Sequence, residues 1–84
     1  MPKPWSVYLL RCADDTLYCG VSPDPKKRVV THNASQGAKY TRARLPVELV
    51  YQEQCENESA AKKREAAIKK LTRQEKLALL AEST

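Results

Sequence analysis

Two short runs of alternating residues with a three-residue polar break between them constrain this chain more than any other feature. From Trp5 to Cys12, the side chains Trp5, Val7 and Leu9 alternate with Ser6, Tyr8 and Leu10. From Leu17 to Ser22, Leu17, Cys19 and Val21 alternate with Tyr18, Gly20 and Ser22. A period of two predicts strands. Ala13-Asp14-Asp15 is a turn, because Asp bonds to its own backbone and tolerates the left-handed region. The pair is therefore a hairpin, and its register decides which residues meet, since opposed residues of an antiparallel pair share a face. A three-residue loop with Asp15 left-handed opposes Cys12 to Thr16 and Leu10 to Tyr18, so that Tyr8, Tyr18 and Gly20 share a face. A two-residue loop puts the two tyrosines on opposite faces.

The remaining segments supply helices and one more strand. Ser22-Pro23-Asp24-Pro25 is a helix start, with Asp24 as N-cap and Pro25 in the first turn. That helix is expected to run to about Ser35 and to stop at Gly37. Residues 36–45 read as a mobile loop rich in Lys and Arg. Pro46 to Gln54 is a third strand, with Val47, Leu49 and Tyr51 against Glu48, Val50 and Gln52. Asn57 caps a helix over 58–71, whose apolar stripe is Ala60, Ala61, Ala67, Ile68 and Leu71. Thr72 and Glu75 form a capping box for a last helix to about Ala81, with Leu77, Leu80 and Ala81 inward. Three strands and two or three apolar stripes fit one α+β core. The 84 residues are expected to form one domain over 1–84, since a chain of this size buries about 60–65% of its surface, enough for a single core. No apolar run approaches the roughly 20 residues of a membrane span. Met1-Pro2-Lys3-Pro4-Trp5 lacks the apolar stretch of an export signal, and neither end carries a lipidation motif.

Fifteen bases against ten acids give a net charge of +5, unevenly spread. Residues 25–44 hold six bases and no acid, and residues 59–76 hold seven bases and two acids, whereas 45–58 hold four glutamates and no base. Two basic blocks point to a polyanion-binding face; a pair of solvated helical faces is the plainer alternative. Cys12, Cys19 and Cys55 form no C-x-x-C pair. An odd count without an export signal points to free thiols in a reducing, cytoplasmic setting. With one histidine in the chain, a Cys/His zinc site lacks ligands.

Arg28 and His32 stand four apart on the first helix and so share a face. A guanidinium grips a phosphate in a fork, and an imidazole orients a water or moves a proton near neutral pH. An exposed pair without a role is the structural alternative. Glu65 falls at the edge of the apolar stripe of its helix, beside Ala61 and Ile68, as a hard oxygen donor for Mg²⁺ or simply the i,i+4 partner of Lys69. Arg64 projects near the middle of that stripe and must snorkel or find a partner, for which Glu48, Glu53 or a phosphate could serve. Tyr8 and Tyr18 carry phenols that donate and accept, or else merely pack a sheet. Trp5 and Tyr40 are aromatics able to stack on a base or to fill the core. A Cys19–His32 nucleophile and base is disfavoured, because Cys19 alternates with Tyr18 and points to the apolar side.

Ser6-Val7-Tyr8 and, ten residues on, Tyr18-Cys19-Gly20 resemble the two signature triplets of the GIY-YIG nuclease superfamily. Arg28 and His32 on a helix, a basic loop, Pro46-x-x-Leu49-Val50-Tyr51 and a helix with Glu65 follow in the same order. The resemblance covers residues 5–80 and is closest to the small stand-alone bacterial type. It implies a small three-stranded antiparallel sheet flanked by helices, in ββαβαα order. It implies an endonuclease that hydrolyses DNA phosphodiesters with a single Mg²⁺ or Mn²⁺ ion. Glu65 would hold the metal, Arg28 would stabilise charge on the phosphoryl oxygens, and Tyr8, Tyr18 and His32 would position or deprotonate the attacking water. Lys26, Lys27, Lys39, Arg42 and Arg44, with Lys62, Lys63 and Lys69, would form the nucleic-acid-binding face. Three positions depart from the triplets: Ser6 replaces the first glycine, and Val7 and Cys19 replace the isoleucines. The asparagine that many members carry late in the domain is missing, since none follows Asn57. With no second DNA-binding domain, cleavage directed by the shape of branched, damaged or single-stranded DNA is expected rather than sequence-specific cutting. The alternative is a non-catalytic nucleic-acid-binding module of the same fold in a repair or RNA complex.

Overall fold

The computed structural model describes residues 4–82; Met1 to Lys3, read above for an export signal, lie outside the described residues. Strand β1 (Trp5–Arg11) pairs antiparallel with β2 (Leu17–Ser22) on one side and with β3 (Glu48–Cys55) on the other, giving the order β2-β1-β3. Helices α1 (Pro25–Asn33) and α2 (Lys39–Arg42) cover one face; α3 (Glu58–Lys69) and α4 (Arg73–Glu82) cover the other. The architecture is the expected α+β sheet flanked by helices. Because both faces are covered, β1 has no polar side: Val7, Tyr8, Leu9 and Leu10 are each at most 1% exposed. Val7 and Leu9 pack with Cys19 and Ile68, while Tyr8 and Leu10 pack with Cys12 and Val47. Among the described residues no helix is long and apolar enough to cross a membrane.

The hairpin takes the three-residue loop. Asp15 sits at φ 66°, the Cys12 amide donates to the Thr16 carbonyl at 2.9 Å, and Leu10 opposes Tyr18 while Tyr8 opposes Gly20. The Asp14 carboxylate fixes the turn by accepting from the Thr16 amide at 3.2 Å and from its hydroxyl at 2.6 Å.

Helix α1 starts as expected, with the Asp24 carboxylate accepting from the Lys27 amide at 3.2 Å and Pro25 in the first turn. Its end differs. Ser35, at φ 63°, takes the left-handed position expected of Gly37. The Ser35 amide donates to the His32 carbonyl at 3.0 Å and the Gln36 amide to the Thr31 carbonyl at 3.1 Å, the two bonds of a Schellman ending. Asn33 then reaches across to β3. Its Oδ1 accepts from the Val47 amide at 2.8 Å and its Nδ2 donates to the Val47 carbonyl at 3.1 Å.

The expected mobile loop over 36–45 contains instead the helical turn α2. Thr41 anchors it: the residue is fully buried and its hydroxyl donates to the Ala38 carbonyl at 2.8 Å. Strand β3 also departs from its simple alternation. Leu9 opposes Tyr51 but Leu10 opposes Leu49, so Val50 is an extra residue, a bulge. Leu49 therefore packs on the Tyr8 side, and Val50 and Tyr51 both pack on the Val7 side. On α3, Ala61 and Ile68 are buried as expected, but Ala67 is exposed. The α4 capping box forms, with the Thr72 amide donating to Glu75 Oε1 at 3.0 Å and the Glu75 amide to Thr72 Oγ1 at 3.2 Å. That helix lies beside Tyr51 and Gln52 of β3, so Leu79 and Leu80 face the core, and Leu77 and Ala81, expected inward, are exposed.

Candidate active site

The hairpin register places Tyr8 and Tyr18 side by side on the α1 face, and Gly20 leaves the room they need. A Cβ on Gly20 would lie 2.6 Å from the Tyr8 hydroxyl and 2.7 Å from Tyr8 Cζ. One helix away, α1 aims His32 into the same space, where it is fully buried. The Tyr8 hydroxyl lies 3.3 Å from His32 Nε2, and the Tyr18 ring meets the imidazole edge-on with centroids 5.4 Å apart. His32 Nδ1 lies 2.8 Å from Thr41 Oγ1. A Cβ on Gly37 would fall on His32 Nδ1, so this glycine makes room for a ring rather than ending a helix. The chain has two glycines, and each lies against a ring of this cluster. Sequence reasoning missed both Thr41 and the role of Gly37. A histidine committed to a site needs a partner for its second ring nitrogen, but Asn33, Ser35, Gln36 and Thr41 all follow it and spacing does not choose among them.

The electrostatics keep the cluster uncharged. Burial raises the Tyr8 phenol above its ordinary value, and a hydrogen bond from Arg28 partly offsets this. Burial lowers the His32 pKa, and the Arg28 charge lowers it further. A neutral phenol therefore faces a neutral imidazole, with one guanidinium beside them. Arg28 also lines a concavity of about 280 Å³ with Ser22, Asp24, Lys27 and Thr31, open at the start of α1. A larger hollow on the outward face of α3, between Glu58, Lys62 and Lys63, contains none of the candidate catalytic residues.

Glu65 comes from the other layer. It is half-buried on α3, its carboxylate lies 3.6 Å from Lys69 Nζ, and its charge helps burial push the Cys19 thiol up to about 11. Cys19 faces α3 with Val7 and Leu9, across the sheet from His32, so the two do not form a nucleophile and base. Tyr8, Tyr18, His32 and Arg28 are thus brought together on one face, and the neighbours found for Glu65 lie on the other. Arg64 takes Glu53 as partner at 3.0 Å, and Tyr51 donates to the same carboxylate at 2.6 Å.

The basic residues divide the same way. Lys26, Lys27, Lys39 and Arg42 are exposed on α1 and α2, on the tyrosine side. Arg44 is committed to the fold: its Nε donates to Asp14 at 3.0 Å, its Nη1 donates to the Tyr40 carbonyl at 2.8 Å, and its guanidinium lies 4.0 Å over the Tyr40 ring. Tyr40 in turn stacks on Tyr18 at 5.9 Å. Trp5 is half-buried opposite Cys55 in the β1–β3 ladder. Lys62, Lys63 and Lys69 are exposed on α3, with Lys62 paired to Glu58 at 3.2 Å.

Residues 4–78 match the GIY-YIG catalytic domain. The chain is 50% identical over 76 residues to a UPF0213 protein of Staphylococcus saprophyticus, covering 90% of this chain and 93% of that one. It is 51% identical over 78 residues to a UPF0213 protein of Natronomonas pharaonis, covering 93% and 92%. Two solution NMR structures are similar in fold. A protein from E. faecalis has a TM-score of 0.63 at 41% identity, covering 95% of this chain and 85% of that one. A UPF0213 protein from Bacillus halodurans has a TM-score of 0.60 at 35% identity, covering 93% and 83%.

Proposed function

The chain belongs to the GIY-YIG nuclease family, and from that premise we propose that it is a metal-dependent endonuclease hydrolysing DNA phosphodiester bonds, directed by substrate structure rather than by sequence. The observation that carries the reading is the packing of the buried Tyr8 and His32 with the half-buried Tyr18 into one cluster beside Arg28. Arg28, exposed at the mouth of the α1 concavity, binds the phosphoryl oxygens and stabilises the charge that develops on them. Tyr8, Tyr18 and His32 position the attacking water and take its proton. Lys26, Lys27, Lys39 and Arg42 flank them and hold the phosphate backbone, and Arg44 contributes charge while bracing Tyr40. Lys62, Lys63 and Lys69 extend the basic surface on the opposite layer. The free cysteines fit action in a reducing cytoplasm.

Family members generally use a divalent metal. Among the described residues no group of three or more His, Cys, Asp or Glu side chains comes together, and the donor that the family resemblance assigns is the half-buried Glu65 carboxylate. One carboxylate suits Mg²⁺ or Mn²⁺, which keep several waters and complete their shell from substrate phosphate. When bound, the ion supplies Lewis-acid polarisation of the phosphoryl group.

The test is incubation with labelled duplex, single-stranded, flap and junction DNAs in Mg²⁺, Mn²⁺ or EDTA, beside Glu65→Ala and Arg28→Ala. The expected result is cleavage abolished by EDTA and by Glu65→Ala, with binding retained, and slowed about 100-fold by Arg28→Ala. Cleavage at the normal rate by Glu65→Ala overturns the assignment. A second reading, a nucleic-acid-binding module that no longer cuts, is favoured by one observation: the neighbours of Glu65 are Lys69 and Cys19 rather than the tyrosines. It predicts salt-sensitive binding without turnover.

A further inference from the structure

We propose that Thr41 is a positioning residue that fixes the tautomer of His32, with the proton on Nδ1 and the lone pair on Nε2 facing the Tyr8 phenol. A threonine hydroxyl has a single proton, and Thr41 Oγ1 donates it to the Ala38 carbonyl at 2.8 Å. That carbonyl can only accept. Toward His32 Nδ1, 2.8 Å away, the Thr41 oxygen therefore offers a lone pair, so Nδ1 must carry the hydrogen. A neutral imidazole has one N–H, which leaves Nε2 as an acceptor. The atom facing it at 3.3 Å is the Tyr8 hydroxyl, which consequently donates. Thr41 and His32 are both fully buried, so water offers neither nitrogen a substitute partner. The other groups facing the imidazole do not compete for Nε2: Tyr18 meets it edge-on, and Arg28 hydrogen-bonds the Tyr8 oxygen and acts on the ring only through its charge.

The catalytic consequence rests on the nuclease reading; the tautomer does not. With Nε2 free, the transfer is one shift: as the water oxygen bonds to phosphorus and the bond to the leaving oxygen breaks, water gives a proton to the Tyr8 oxygen, whose own proton passes to His32 Nε2. The shift then reverses through Tyr8 and gives that proton to the leaving oxygen, which restores a neutral phenol and a neutral imidazole with one water consumed. With the proton on Nε2, His32 could not accept it, and Tyr8 would have no acceptor. Thr41, on a helical turn that looks like mere connection, sets the direction of proton flow.

The test uses the full chain, ¹⁵N-labelled at histidine, as wild type, Thr41→Val and Thr41→Ser. Valine keeps the shape and removes the oxygen; serine keeps the oxygen. Above the His32 pKa, the wild-type spectrum is expected to show a pyrrole-type shift at Nδ1 and a pyridine-type shift at Nε2. Thr41→Val is expected to lose that pattern and to slow DNA cleavage about 100-fold, the scale of a lost general base, and Thr41→Ser to restore both. A pyrrole-type Nε2 in the wild type overturns the proposal, as does an unchanged tautomer in Thr41→Val. If Thr41→Val does not fold, the wild-type and Thr41→Ser spectra still decide. If the wild type cuts nothing, the nuclease reading fails while the spectra judge the tautomer alone.

Discussion

The two faces of the sheet are built from the same strand by different chemistry. Toward α3 and α4, β1 presents Val7 and Leu9 to Cys19, Ile68, Leu79 and Leu80, an aliphatic layer held by dispersion and exclusion of water. Toward α1 and α2 it presents Tyr8, and the space beyond is filled by Tyr18, His32 and Thr41, joined through named atoms. On the first face any well-shaped apolar group serves. On the second each polar atom needs its partner, because an unpaired buried donor or acceptor costs about 1–3 kcal/mol. No buried side-chain polar atom among the described residues lacks a partner. Glu65 on α3 apart, the candidate catalytic groups lie on the second face, so substitutions in the aliphatic layer away from Glu65 act on stability and substitutions in the polar cluster act on chemistry.

The sharpest way to break that contrast is Ile68→Ala. It empties a fully buried position on the aliphatic face and is expected to cost about 2–5 kcal/mol, measured by urea denaturation, while cleavage per folded molecule stays near wild type. A large loss of activity in the folded fraction would mean the faces are coupled. Tyr8→Phe is the mirror experiment. The ring still fills its place, so stability is expected to change by about 1 kcal/mol, while cleavage falls about 100-fold; equal loss of both would erase the distinction. A third test uses pH. His32 is buried neutral, with its pKa lowered from 6.5 by burial and by Arg28. Protonation therefore favours the unfolded chain, and the stability His32 contributes is present above 6.5 and is lost as pH falls below it. The urea midpoint is expected to drop on acidification well before the carboxylates titrate, around pH 4, whereas a flat midpoint would mean the imidazole accepts its charge. The smallest effect is Thr72→Ala, which removes one half of the α4 capping box. About 1 kcal/mol of stability is expected to go, with no change in cleavage.

Much of this arrangement is legible in the residues, and the parts that are not share a cause. The three-residue loop that sets the hairpin register rests on Asp14 and Asp15, whose side-chain and backbone preferences are local, and with it comes the shared face of Tyr8 and Tyr18. The same holds for the Asp24 and Asn57 caps and the Thr72–Glu75 box. Features set by tertiary contact were not legible. The Val50 bulge exists because β3 must serve two faces at once. Helix α2 exists because Thr41 has a buried partner nine residues back. Leu79 rather than Leu77 faces inward because α4 lies beside Tyr51. Gly37 shows the limit: its apparent reason was backbone freedom, but Ser35 makes the turn and Gly37 makes room for an imidazole.

The double bond from Asn33 to Val47 has a consequence for exchange with solvent deuterium. The Val47 amide lies one residue before β3, outside its ladder, so its protection comes from the Asn33 side chain at the end of α1. Every lift of the end of α1 from the sheet breaks that bond and opens the amide to exchange, and His32 sits one residue earlier on the same helix. The rate at Val47 thus sets a ceiling on how often the imidazole leaves its seat, readable without label, substrate or metal.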